Sequence, residues 1–220
     1  MFGSGKTCIG GLPGVGSVGK VAADCLCTAL ECTHLRSFFS RGFPAQVMVG
    51  DGVAELLHAE IHLPKGKDNL LILTGDAQPA GIKDMYSLAG EILEAAKSMG
   101  ADQVVALAAY VGDSPEKVVG VSSEEDGIKD LEKAGIPVLR SGAIGGINGL
   151  LAGMAPIYGL RGYCLLGTTS GDDLIDLRAT SNLLDAIKKA LDLDVPLQVL
   201  PMTEEPGKPS SFEEMDMNYR

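Results

Sequence analysis

The chain has 220 residues, long enough for one compact domain that buries about 70% of its unfolded surface without disulfide or metal staples. Its 29 acidic and 18 basic side chains leave a net charge of -11, which repels phosphate backbones and argues against nucleic-acid or anionic-membrane binding. No apolar run reaches 18 residues, so nothing is expected to span a bilayer, and residues 1–7 lack the pattern of a secretion signal.

The first predicted strand covers 7–11 and runs into a glycine-rich turn, Gly11-Leu-Pro-Gly-Val-Gly16. A helix over 17–32 follows, with Val18, Val21, Ala22, Cys25 and Ala29 on one face and Ser17 as its N-cap. Extended segments are predicted at 35–40, 46–49 and 53–63, the last alternating like a half-exposed antiparallel strand on which His58 and His62 share a solvated face. The apolar run 70–74 predicts a buried central strand. Met85, Leu88, Ile92, Ala95 and Met99 predict a helix over 82–99 that Gly100 closes. Beyond it come a buried strand over 104–111, a loop over 120–126, a helix over 127–134 and a short strand over 138–140. A glycine-rich helix over 144–158, a buried strand over 162–167 and a helix over 177–191 complete the pattern. Strands alternating with helices define a three-layer α/β sandwich with a mostly parallel sheet, and the stretch near 44–63 adds an antiparallel part. We take 1–202 as one domain. Residues 203–220 form an acidic tail rich in Pro and Ser that reads as flexible.

The five cysteines, Cys8, Cys25, Cys27, Cys32 and Cys164, include no C-x-x-C pair. They read as reduced thiols of a cytoplasmic protein, packed as small apolar residues. The three histidines are not at ligand spacing with them, so no metal is expected.

Gly3-Ser-Gly-Lys-Thr7 imitates the end of a phosphate-binding loop but has neither the earlier glycine nor the preceding strand that the pattern requires. Gly14, Gly16 and Gly19 match G-x-G-x-x-G between a strand and a helix, the context of a dinucleotide turn. However, 35–43 offers Arg36 and Arg41 and no acid for a ribose, which favours a turn built for close backbone packing. Ser141 to Gly149 is a second glycine-rich helix entry, suited to close packing or to one wall of a cleft. Asp76 and Gln78 follow one buried strand and Asp172 follows another; loops at the carboxyl ends of parallel strands are where α/β sites form. Gly14, Gly16, Gly19, Asp76, Gln78 and Asp172 therefore mark a candidate ligand cleft. No set of acid, base and nucleophile assembles in the sequence, so neither catalysis nor a cofactor is expected. The alternative is a nucleotide- or nucleoside-binding enzyme that uses the Gly14–Gly19 turn.

Four motifs occurring in order carry a resemblance. They are Gly10-Gly-Leu-Pro-Gly-Val-Gly-Ser-Val-Gly-Lys20, Phe43-Pro-Ala-Gln46, Leu71-Ile-Leu-Thr-Gly-Asp-Ala-Gln-Pro79, and Gly149-Leu-Leu-Ala-Gly153 followed by Cys164-Leu-Leu-Gly-Thr-Thr-Ser170. Over about 7–197 the chain resembles the archaeal branch of the proteasome-assembly-chaperone family. The resemblance implies a phosphorylase/hydrolase-like α/β fold, a homo-oligomer and binding to proteasome α-subunits without turnover. It also implies that a hydrophobic-Tyr-any tripeptide at the C-terminus docks between α-subunits. Tyr219 and Arg220 fit that pattern, while Asn218 occupies the hydrophobic position and Met217 lies one residue early. Tyr219 is then the anchor, the Arg220 carboxylate the ionic contact, and Phe212, Met215 and Met217 the supporting apolar contacts.

Overall fold

In chain order the protein runs β1 (Lys6–Gly10), α1 (Val18–Ala29), β2 (Thr33–Phe38), β3 (Val47–Gly50), β4 (Val53–Leu56), β5 (Ala59–Leu63), β6 (Leu70–Gly75), α2 (Ile82–Ser98), β7 (Ala101–Val111), β8 (Val118–Ser122), α3 (Glu125–Lys133), α4 (Gly146–Met154), β9 (Arg161–Thr169) and α5 (Leu177–Leu191). The computed structural model describes residues 5–112 and 114–193. The tail proposed over 203–220, with its candidate contacts Phe212, Met215, Met217, Asn218, Tyr219 and Arg220, lies outside the described residues.

The main sheet has seven strands in the order β2-β5-β6-β1-β7-β9-β8. Strands β6, β1, β7 and β9 are mutually parallel, whereas β2–β5, β5–β6 and β8–β9 pair antiparallel. Only β5 and β8 therefore run against the rest. Successive side chains of a strand point to opposite faces, so a strand covered on both sides must be apolar at every position. The central strands follow this except at Thr7, Thr74, Gln103 and Thr169, buried polar residues near their ends. Cys8, Leu71, Leu73, Val104, Ala106, Cys164 and Leu166 pack with Leu88 and Ile92 of α2 and Ile147 and Leu151 of α4. Their neighbours Ile9, Leu70, Ile72, Val105, Leu107, Tyr163 and Leu165 pack with Val21 and Leu26 of α1 and Leu183 and Ile187 of α5. Each fully buried aliphatic side chain contributes about 1.5–3 kcal/mol, so these two cores carry the three-layer sandwich that the sequence predicts.

Several predicted elements need correction. The segment 53–63 is two strands. Leu57 and His58 break it, Leu57 burying itself in the core while the His58 N–H turns to the Asp76 carboxylate at 3.0 Å. β3 and β4 consequently form a separate two-stranded hairpin, on which Val47, Val49, Val53 and Leu56 are exposed. The loop predicted at 120–126 contains most of β8, because Gly120 admits Leu131 and Ile136 against the strand where a Cβ would collide with them. The strand predicted at 138–140 is a single bridge from Val138 to Gly120. The glycine-rich helix starts at Gly146 and ends at Met154, continuing to Tyr158 only as a 3-10 turn. Ser17 does stand at the N-cap of α1, but with φ 47° and no capping hydrogen bond from its side chain. Asp176 is a true cap: it accepts from Ala179 N at 2.8 Å and begins α5.

Candidate functional site

A cleft of about 410 Å³ opens at the carboxyl ends of the parallel strands. Its floor is the end of β7, Ala108 to Val111, with Leu166 of β9. One wall is Gly14, Val15 and Gly19 from the turn after β1; the other is Ala143 to Gly146 and Asn148 at the start of α4.

The glycines of the turn have different physical jobs. A Cβ on Gly19 would sit 2.1 Å from the Leu107 carbonyl oxygen, so this residue lets α1 lie directly on β7. Gly11 makes the same close approach, with 2.5 Å to that oxygen. Gly16 has φ 58°, a left-handed conformation that glycine adopts at little cost. Gly14 is extended, at φ -161°, and a Cβ there would meet the Gln78 and Asn148 amides at 3.5 and 3.9 Å, ordinary contact distances, so its absent side chain opens the cleft.

Two amides fasten the walls together. Asn148, buried in α4, accepts from Leu12 N at 3.0 Å and donates to Leu12 O at 2.9 Å, satisfying both backbone groups of a residue 136 positions away. Gln78 donates to Pro13 O and accepts from Ile147 N at 2.8 Å, tying the turn after β1 to the N-terminus of α4. Both amides thus spend their hydrogen bonds on backbone.

Of the candidate ligand residues, Gly14, Gly19 and Gln78 line this cleft. Gly16 does not line it; its carbonyl accepts from Asp176 N at 2.9 Å. Asp76 is exposed on the other side of the β6 loop, bound to His58 N. Asp172 is exposed in the turn after β9. Among the described residues, no Asp, Glu, Lys or Arg lines the cleft. The sheet order also separates this site from a dinucleotide arrangement, because the strand that follows α1 is β2, at the far edge, while β1 lies between β6 and β7. An acid at the end of β2 would not reach a ribose held by the turn. Asn148 and Tyr110 were not singled out in the sequence. For Asn148 the available signal was one polar residue inside an apolar, glycine-rich helix.

A second cluster forms beside the hairpin. The three histidines, dispersed over 34–62, converge on Glu60. His62 Nε2 lies 3.0 Å from Glu60 Oε1, and His58 and His34 Nε2 lie 3.4 and 3.9 Å from Oε2. His58 Nδ1 also lies 3.4 Å from Asp76 Oδ2. The face expected to be solvated is thus half-buried and acid-paired. Among the described residues no three His, Cys, Asp or Glu side chains are arranged to hold a metal. The adjacent His62 imidazole holds the Glu60 carboxyl below its usual range despite burial, with help from His58 and His34. Burial works against a charged His58, but the Leu56 carbonyl, Asp76 and Glu60 outweigh it and raise its pKa. A raised His58 stabilises the fold fully below its unfolded value of 6.5 and loses that contribution as pH climbs through the folded value. A lowered Glu60 contributes above 4.5 and loses it as pH falls through its folded value. The cluster therefore stabilises most between 4.5 and 6.5. His58→Gln is expected to melt below the parent at about pH 6 and close to it at about pH 9. A gap that ignores pH, in thermal melts of both proteins, contradicts this account.

The doubly covered sheet and its glycine-walled cleft place the chain among α/β sandwiches. The particular kind follows from comparison with known proteins. The chain belongs to the PAC2 family, whose model matches residues 8–205. The uncharacterized protein MJ1210 of Methanocaldococcus jannaschii is 32% identical over 198 residues, covering 87% of this chain and 76% of that one. The crystal structure of Pyrococcus furiosus PbaB, described as an archaeal proteasome activator, superposes with a TM-score of 0.79 at 28% identity, covering 87% and 86% of the two chains. Pyrococcus furiosus PbaA, described as an archaeal homolog of proteasome-assembly chaperone, superposes with a TM-score of 0.74 at 30% identity, covering 88% and 79%. Two of these relatives are thus described as a proteasome activator and an assembly-chaperone homologue. No helix among the described residues is long and apolar enough to cross a membrane.

Proposed function

We propose that the protein is a proteasome assembly chaperone or activator that binds proteasome α-subunits without turnover, in the cytoplasm and as a homo-oligomer. The observation that carries this reading is the likeness to PbaB and PbaA over 87% or more of the chain at 28–30% identity. The contact is assigned to the C-terminal segment. Tyr219 anchors it, the Arg220 carboxylate pairs with a basic group, and Phe212, Met215 and Met217 add apolar area. Several tails on one oligomer raise avidity by about 10²–10⁴, which offsets the polar Asn218. The exposed apolar hairpin β3–β4 supports self-association, since a two-stranded ribbon is marginal by itself.

Immobilised full-length protein is expected to retain α-subunits, and Tyr219→Ala to lose them by at least about tenfold, the scale of one buried aromatic anchor. Retention by both proteins would move the interface onto the folded domain. Retention by neither would overturn the reading.

A further inference from the structure

Two of the thiols meet at the C-terminus of α1. The helix ends in a left-handed cap, with Glu31 at φ 46°. Cys32 N donates back to Cys27 O at 3.1 Å, and Glu31 N to Thr28 O at 3.3 Å. This pair of bonds folds the chain so that the residue three positions inside the helix and the second residue beyond its cap bring their side chains into contact. In most proteins that contact joins two aliphatic groups. Here the two residues are Cys27 and Cys32, close enough for each thiol to shift the pKa of the other. Both residues are partly exposed and pack on the edge of the α1–α5 core, unlike Cys8 and Cys164, which are buried.

We infer that Cys27 and Cys32 form a redox-active dithiol, which low-molecular-weight disulfides convert to an intramolecular bridge across the helix cap.

The surroundings divide the roles. The hydrogen bond from Cys27 lowers the Cys32 pKa against the effect of burial, and the nearby His62 adds to this. Sharing its proton with Cys32 raises that of Cys27, as do burial and the Asp24 and Glu60 carboxylates. Cys32 is thus the attacking thiolate and Cys27 the resolving thiol. In the first step the Cys32 thiolate attacks one sulfur of the disulfide. A Cys32 mixed disulfide forms and one small thiolate leaves. Cys27 then loses its proton and attacks the Cys32 sulfur, which forms the Cys27–Cys32 bond and expels the second small thiolate. Two protein thiols are oxidised and one disulfide is reduced to two thiols. Burial pushes Cys8 and Cys164 up to about 12 and keeps them out of this exchange. The cap supplies proximity through its backbone bonds.

The test treats the folded, reduced protein with bis(2-hydroxyethyl) disulfide, followed by thiol titration in denaturant and peptide mapping. Titratable thiols should fall from five to three, with the bridge mapped to Cys27 and Cys32. Cys27→Ser should stop at a single stable adduct on Cys32. In Cys32→Ser, Cys27 should be modified at least about tenfold more slowly than Cys32 is in the parent, because burial and the Asp24 and Glu60 carboxylates still raise its pKa. Melting curves of the reduced variants establish that they fold. Should either fail to fold, mapping of the parent protein decides alone. Five thiols surviving in the parent, a persistent adduct on its Cys32, or a bridge through another cysteine would each overturn the inference.

Discussion

Replacing Gly19 by alanine is expected to lower stability by about 3 kcal/mol, or about 6–12 °C in Tm for a domain of this size. The new methyl would lie 2.1 Å from the Leu107 oxygen and 2.6 Å from its carbonyl carbon. Neither atom can rotate away, because both belong to the backbone of β7, which is paired on both sides. The helix must therefore lift off the sheet and open the contact among Val18, Val21, Leu107 and Leu165. The gain in helix propensity from Gly to Ala, about 1 kcal/mol, offsets only part of this. Gly14→Ala is the informative control. It belongs to the same G-x-G-x-x-G pattern, but its methyl finds 3.5 Å of room and its backbone is extended. It should change stability by less than about 0.5 kcal/mol, the usual range of a surface substitution. Denaturant titration of the two variants measures the difference. Equal losses at both positions would contradict the division between a packing glycine and a cleft glycine.

Asn148→Leu should cost about 2–4 kcal/mol, although leucine matches asparagine in size and suits an apolar helix. The amide alone satisfies Leu12 N and Leu12 O in a buried site, and leucine strands both. Asn148→Asp separates the two bonds. A carboxylate still accepts from Leu12 N but faces Leu12 O without a proton to offer. That variant should be weakest at neutral pH and recover as pH falls and the acid protonates. Thermal melts across the acid range test this, and a loss in Asn148→Asp that does not change with pH would sink it.

Much of the architecture was legible locally. The runs over 70–74, 104–111 and 162–167 are continuous in apolar residues because a strand covered on both faces has no solvated side. The bounds read for α5, 177–191, match the structure, where Asp176 supplies the cap. The edges were less legible. β8 carries Gly120 and Ser122, which look like loop residues, and has β9 on one side and only the Val138 bridge on the other. The break at Leu57 and His58 has no local signal, because the alternation of 53–63 continues across it. What turns the chain there is Asp76, 18 residues further on.

For the candidate cleft, the sequence pointed to Gly14, Gly19 and Gln78, which line it, and to Asp76 and Asp172, which face elsewhere. Following a buried strand places a residue at the correct end of the sheet but says nothing about which way its loop then turns. Asn148 and Leu12 lie 136 residues apart, and nothing near either one announces the other.

By itself the sequence determined the layered α/β class, the buried strands and the family motifs. These depend on hydrophobic period and turn chemistry, which act over a few residues. Tertiary structure alone decided the strand order, the two amide fastenings, the gathering of three histidines on Glu60 and the detached hairpin. These depend on contacts between distant segments, whose closure entropy is met only when both cores pack at once.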